Sequence, residues 1–229
     1  MNVRWLPKES IARSASDLVG GYEQLVGHPV HPPIPVENII ERYLGVSLSF
    51  EDLETRLGME DVLGATFIKS KTICINEKPL EDKSEGRLTF TCAHEAGHWV
   101  LHRHFVERAN RRSGPGEGII CRTKDARLPV EWQADYFASC LLLPEKELNN
   151  AFFEVSGGKE LVLDNVRSCL GGTAVCIDPC VENWHFIADA VREAGGFSNV
   201  SKEAMIIRLR ELGLVLNTTG AYMGWRKTA

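Results

Sequence analysis

Long apolar runs, an N-terminal leader and an excess of basic charge are all missing from this sequence. No window approaches the roughly 18 apolar residues that a membrane-spanning helix needs, and the opening MNVRWLPKES has no apolar core of the secretory type. These absences predict a cytoplasmic protein with no membrane segment. The net charge is −5, from 26 basic and 31 acidic side chains, so the overall field repels nucleic acid. Direct DNA binding would need a local basic patch.

The sequence also lacks the paired cysteine spacing of a disulfide scaffold or a structural zinc site. Seven cysteines are an odd number, and a chain of 229 residues is large enough to bury a core without cross-links. Free thiols are therefore expected. Cys169, Cys176 and Cys180 form C-x3-C with a distant third cysteine, in place of the paired C-x2-C of zinc sites. This spacing disfavours a second metal site.

Apolar periodicity and turn residues predict three parts in the chain. Residues 1–35 form a short helix over 9–20, which Gly20-Gly21 should end, and a proline-rich extended connector. Residues 36–148 form the core, and residues 149–229 form a mainly helical region. One helix is predicted near residues 145–155, across the boundary between the core and the third part. Two more are predicted within the third part, near 182–194 and 201–212.

The core region alternates between helical and strand periods. A helix over 36–44 precedes three short strands rich in β-branched residues, and a long helix, a loop and a further helix follow. Pro129 suits the first position of that last helix, and Pro144 should end it. The third strand is a candidate edge on which an extended substrate pairs. The strands are predicted at 46–50, 62–68 and 71–76, the long helix at 86–105 and the loop at 107–128.

The long helix contains the sequence His94-Glu95-Ala96-Gly97-His98, an H-E-x-x-H motif. Two imidazoles four positions apart project from the same helix face, so both can reach one ion. The carboxylate of Glu95 is offset by one residue, where it can take a proton from an activated water. Gly97 costs the helix about 1 kcal/mol relative to alanine, which suggests close packing there by a strand or a substrate backbone.

A pair of acidic residues after the motif supplies a candidate for the third metal ligand, which the motif alone lacks. Glu131 and Asp135 lie four positions apart on the helix that begins at Pro129, and therefore share a face. Two histidines and a glutamate are a common ligand set for catalytic zinc, so Glu131 is the predicted third ligand. Asp135 is placed to accept the other ring N–H of a ligand histidine.

Around these residues the sequence resembles the ImmA/IrrE family of metallo-endopeptidases. The resemblance spans about residues 36 to 148 and is carried by RLTFTCAHEAGH (87–98), EWQADYFA (131–138) and LLLP (141–144). It implies an α+β fold with a small zincin-like, gluzincin-type core: a short three-stranded sheet packed with the H-E-x-x-H helix and the glutamate-bearing helix. By position it implies that His94, His98 and Glu131 bind Zn²⁺, with Mn²⁺ as an alternative, and that Glu95 is the base. It further implies a protein substrate, a helix-turn-helix repressor of the Xre type cut at one site.

Three alternatives stay open at this point. His102, four positions beyond His98, either lines the cleft and steadies an oxyanion or is a solvated or capping residue. Residues 183–215 outline either a helix-turn-helix or a plain helical hairpin, because Glu203 and Glu211 offset the basic side chains. The whole chain is either a peptidase or a non-catalytic regulator or metal sensor, which binds a repressor or DNA with a peptidase-like fold.

Overall fold

The computed structural model describes residues 4–77, 85–113, 119–122, 128–159, 161–163, 175–178 and 180–217. The chain forms two compact units: Met1–Val30 with Ile34–Leu142, and His31–Pro33 with Leu143–Ala229. Helices and strands occur in both, which confirms the mixed α+β class. In the described ranges no helix has the length and apolar character to cross a bilayer.

The first unit is built from six helices and four strands within its described residues. α2 continues as a π-helical turn over Ile39–Tyr43, and α4 continues as a π-helical turn over His98–His102 before α5 begins. The helices are α1 (Lys8–Val26), α2 (Val36–Asn38), α3 (Leu53–Leu57), α4 (Glu85–Gly97), α5 (Arg103–Ser113) and α6 (Pro129–Leu142), and the strands are β1 (Ser47–Glu51), β2 (Val62–Phe67), β3 (Thr72–Asn76) and β4 (Ile119–Arg122).

Helix α1 does not end at Gly20-Gly21, so that prediction is wrong. The helix continues to Val26, and Gly27 caps it in the left-handed conformation at φ 77°. A Cβ at Gly21 would overlap the phenol ring of Tyr43. The glycine therefore permits close packing inside the helix and does not break it.

The strand order of the first sheet is β1-β3-β2-β4. All three predicted strands are present, and a fourth, β4, lies within the segment predicted as a loop; Gly114–Gly116 of that segment lie outside the described residues. Strand β3 pairs with β1 in parallel and with β2 in antiparallel fashion. The prediction that β3 is an edge for substrate is therefore wrong, because both its sides are occupied.

A small apolar cluster and the long helix cover this sheet. Leu53 of α3 is buried against Val62, Ala65 and Cys74 of the two central strands, and α4 packs on β2 and β3. Helix α4 also packs on α6, which in turn packs on α1. The sheet thereby supports one side of α4 while α6 covers another.

The second unit contains the three helices predicted for it, and each helix packs against the next one along the chain. It also contains a parallel sheet of order β6-β5-β7 that the sequence analysis did not predict. Its strands are only three residues long, too short for a detectable alternation. The elements are α7 (Glu145–Ser156), α8 (Val181–Ala194), α9 (Lys202–Glu211), β5 (Leu161–Leu163), β6 (Val175–Ile177) and β7 (Val215–Asn217).

Candidate metal centre

The centre forms where α4 and α6 approach each other most closely. A Cβ on Gly97 would lie 3.1 Å from the Phe137 ring and 3.3 Å from the backbone of Ala134. The close neighbour of Gly97 is therefore helix α6, and the expectation of a strand or substrate backbone there is wrong. With no side chain in the way, the histidines of α4 face the first turn of α6.

Three buried side chains converge across this contact. Nε2 of His94 lies 3.0 Å from Nε2 of His98 and 3.1 Å from Oε2 of Glu131, and His98 Nε2 lies 3.4 Å from the same oxygen. Within the described residues, these three form the group of side chains that could hold a metal ion. The side chains of Cys169 and Cys176 lie outside those residues, and Cys180 is a free thiol.

The spacing of these atoms suits a tetrahedral zinc ion. Ligands about 2.0–2.1 Å from zinc in tetrahedral geometry are separated by roughly 3.3–3.4 Å, and the observed separations are 3.0 to 3.4 Å. Burial would raise the pKa of Glu131, but the facing imidazoles of His94 and His98 outweigh it and hold that pKa below its usual range. Glu131 is therefore an anion, and the donor set fits a divalent cation.

Asp135 lies one turn beyond Glu131, on the far side of the His94 ring. Its Oδ1 is 2.9 Å from His94 Nδ1. Because a carboxylate only accepts, Nδ1 donates this hydrogen bond, and the contact orients the ring so that Nε2 faces His98 and Glu131.

Glu95 is fully buried and points toward strand β2. The hydroxyl of Thr66 donates to Glu95 Oε2 at 2.6 Å, whereas Oε1 has no hydrogen-bond partner among the described residues. Gly64 leaves room for the carboxyl group, because a Cβ there would overlap it. Burial raises the pKa of Glu95 despite the opposing influence of His98 and His94. A carboxyl group with a raised pKa is suited to exchange protons near neutral pH.

His102 and Gln133 are two further buried polar residues at the centre. Nδ1 of His102 lies 3.0 Å from Nδ1 of His98, and its Nε2 lies 3.2 Å from Oε1 of Gln133. Burial lowers the pKa of His102 to about 4, so the ring is neutral at neutral pH. Neither a solvated nor a capping position describes it.

Sequence reasoning did not single out Thr66, Gly64 or Gln133. A glycine inside a strand pattern is a signal for close approach by another group, so Gly64 was detectable. Gln133 lies two positions after Glu131 and, on spacing alone, points away from the face that Glu131 and Asp135 share. Thr66 is 29 positions from Glu95, its hydrogen-bond partner, and no local sequence pattern predicts such a distant contact.

Two histidines from one helix and a glutamate from another could hold a metal ion, and with a second glutamate beside them they match the residue types of a metallopeptidase site. The family comparison agrees with that class: the model of the peptidase M78 family, IrrE N-terminal-like domain, matches residues 41–162. The match covers just over half of the 229 residues, and the chain belongs to this family, as the resemblance to ImmA/IrrE proteins predicted. No curated protein matches the chain.

Proposed function

We propose that the chain is a zinc-dependent endopeptidase that cuts a helix-turn-helix repressor of the Xre type at a specific site and so relieves repression. The observation that carries the proposal is the convergence of His94, His98 and Glu131 on one point, in a chain of a peptidase family. The repressor substrate is drawn from the resemblance to ImmA/IrrE proteins. Because a transcriptional repressor acts inside the cell, we propose that the reaction takes place in the cytoplasm. Zinc is favoured over Mn²⁺ because imidazole nitrogens outnumber oxygens among the ligands.

His94, His98 and Glu131 would hold the ion, and Asp135 would fix the orientation of His94. When bound, zinc acidifies a water molecule and polarises the scissile carbonyl.

Glu95 would move the proton. Thr66 holds Oε2, so Oε1 is the atom that can accept the proton of the attacking water. The same oxygen would then deliver that proton to the departing amine nitrogen. The raised pKa of Glu95 favours the first half of this transfer, because it makes the carboxylate a stronger base than an exposed one.

The test is co-expression with a small helix-turn-helix protein encoded by a neighbouring gene. The parent chain is expected to yield two fragments of that protein, identified by intact mass, and Glu95→Gln none, with the zinc content of both chains unchanged. Glu154→Gln, the same change at an exposed position of α7, should cleave like the parent.

The same variants separate hydrolysis from regulation by contact alone. Relief of repression by Glu95→Gln equal to that of the parent would contradict the peptidase proposal and favour the non-catalytic regulator. Relief that follows zinc occupancy, without any fragment, would favour the metal sensor.

A further inference from the structure

A chain of hydrogen bonds connects the backbone near the N-terminus to the candidate ligand His98. Nε2 of Gln133 donates to the carbonyl oxygen of Arg4 at 3.2 Å, and Oε1 of Gln133 lies 3.2 Å from Nε2 of His102. Nδ1 of His102 then lies 3.0 Å from Nδ1 of His98. The three side chains are fully buried at 0% exposure, so water does not compete for these contacts.

The carbonyl oxygen of Arg4 determines which atom is the donor in each hydrogen bond of this series. A backbone carbonyl only accepts, so Gln133 must present its NH₂ group to Arg4 and its oxygen to His102. That oxygen also only accepts, so His102 carries its proton on Nε2, and its Nδ1 becomes an acceptor. His98 must therefore donate from Nδ1, and its Nε2 is the ring nitrogen that faces Glu131 and can bind an ion.

We propose that His102 and Gln133 are positioning residues that hold His98 in the Nδ1-protonated tautomer, with the Arg4 carbonyl as the fixed end of the relay. The inference rests on the proposed metallopeptidase function and deepens it. His94 is oriented by a carboxylate, whereas His98 is oriented by a neutral ring and an amide. The relay thus prepares the second nitrogen ligand without adding another negative charge to a buried site that already contains Glu131 and Glu95.

The segment that bears the Arg4 carbonyl is held against α6 by aromatic contacts. The Trp5 ring stacks on Trp132 at 4.7 Å between centroids, and Trp132 stacks on Tyr136 at 5.5 Å. The ammonium of Lys8 lies 4.9 Å from the centroid of the Tyr136 ring. These contacts flank Gln133 in sequence and fix the carbonyl relative to the helix that contains Glu131.

Two substitutions at His102 distinguish a relay from simple packing. His102→Asn places an amide oxygen near the position of Nδ1 and so retains an acceptor for His98, but it leaves a gap. His102→Phe retains the ring volume and removes the acceptor. The expected result is a zinc affinity about tenfold or more below the parent for His102→Phe, measured by competition with a chelator, and a smaller loss for His102→Asn. The opposite order would overturn the proposal, because packing alone favours phenylalanine.

Tautomers in the metal-free protein supply a readout that does not depend on zinc. Long-range nitrogen–proton correlations of the parent should show His98 protonated on Nδ1 and His102 protonated on Nε2. Gln133→Leu should leave His102 without its acceptor and convert both rings to tautomer mixtures, and Gln133→Glu should retain the Nε2-protonated ring. Unchanged tautomers in Gln133→Leu, or His98 protonated on Nε2 and not on Nδ1 in the parent, would refute the relay.

The two proposals fail in distinguishable ways. A parent protein that shows the expected tautomers but neither binds zinc nor cleaves a repressor contradicts the proposed function alone. A parent that binds zinc and cleaves, with His102→Phe and Gln133→Leu equal to it in affinity and tautomers, contradicts the relay alone.

Discussion

Several residues at the centre are ionisable and deeply buried, and Glu95 is one that is fully buried. Its carboxyl group is fully buried, accepts one hydroxyl at Oε2 and has a raised pKa. An ionised carboxylate in such a place costs free energy of folding. We infer that this cost is retained because the proposed proton transfer needs the carboxyl group at this position.

The pH dependence of stability tests this cost in the metal-free protein. The folded state binds the Glu95 proton more tightly than the unfolded state, where the pKa is about 4.5. The contribution of this group is therefore most favourable at and below pH 4.5 and is lost as pH rises through the folded pKa. Glu95→Gln removes this loss, so its melting temperature, measured from pH 5 to pH 8, should exceed that of the parent by an amount that increases with pH until the folded pKa is passed. Glu154→Gln is the control, and a constant difference across that range would contradict the prediction.

The hydroxyl of Thr66 should matter for turnover because it holds Oε2 of Glu95 in place. The other oxygen, Oε1, is then oriented for the proposed proton transfer. Thr66→Val preserves the volume and removes the donor, and a hydrogen bond to a charged group contributes about 1.5–3 kcal/mol. We expect cleavage by Thr66→Val to fall by about tenfold or more, since 1.4 kcal/mol is a factor of ten, with zinc content unchanged. Thr66→Ser keeps the donor and should remain within a few-fold of the parent. Equal rates for the two variants would mean that the hydroxyl does not position Glu95.

At the scale of elements, the contact between α4 and α6 brings the two halves of the centre together. The contact depends on Gly97, whose missing side chain lets the backbone of Ala134 approach. Ala134 lies one turn after Glu131, so any separation of the helices at this point moves Glu131 away from the histidines. The geometry of the candidate metal centre thus depends on helix packing as much as on the candidate ligands themselves.

Gly97→Ala tests that dependence against a control in α1. An added Cβ at 3.1–3.3 Å from Phe137 and Ala134 requires these neighbours to move by a few tenths of an ångström. Because the Ala134 contacts are with backbone, we expect α6 to shift away from α4 and zinc affinity to fall, although alanine favours the helix by about 1 kcal/mol. At Gly20, where nothing lies within 4 Å, the same substitution should raise the free energy of unfolding by about 0.5–1 kcal/mol and leave affinity unchanged. Zinc titration and denaturant unfolding measure the two effects. Unchanged affinity in Gly97→Ala would show that the packing tolerates the methyl group.

The sequence predicted the elements with strong local patterns and missed those that depend on distant contacts. The long helix, α6 and the helices of the second unit are marked by periodicity and by prolines. Strands β4 to β7 have four residues or fewer, so their pairing partners, and not their own patterns, define them. The same limit applies at the centre: the motif places His94 and His98 on one face, but the contacts of Thr66 and Gln133 are set by the fold.

At the scale of the whole molecule, the candidate ligands all belong to one of the two units. His94, His98 and Glu131 lie in the unit formed by Met1–Val30 and Ile34–Leu142, whereas the family match extends past it, to residue 162. The predicted boundaries at residues 35 and 148 are sequence-based and stay a prediction. Metal binding should therefore stabilise the first unit directly.

Hydrogen exchange with and without zinc tests this assignment at the level of the intact chain. A ligand that binds only the folded state stabilises it by about 2.7 kcal/mol at a concentration one hundred times its dissociation constant. Zinc should accordingly slow exchange in α4 and α6, which provide the ligands, by up to about a hundredfold where opening exposes the site. Helices α8 and α9 contain none of these ligands, so their exchange should change little, and they serve as the internal control. Equal protection of both units would show instead that they unfold as one cooperative body, in which case the metal stabilises the entire chain.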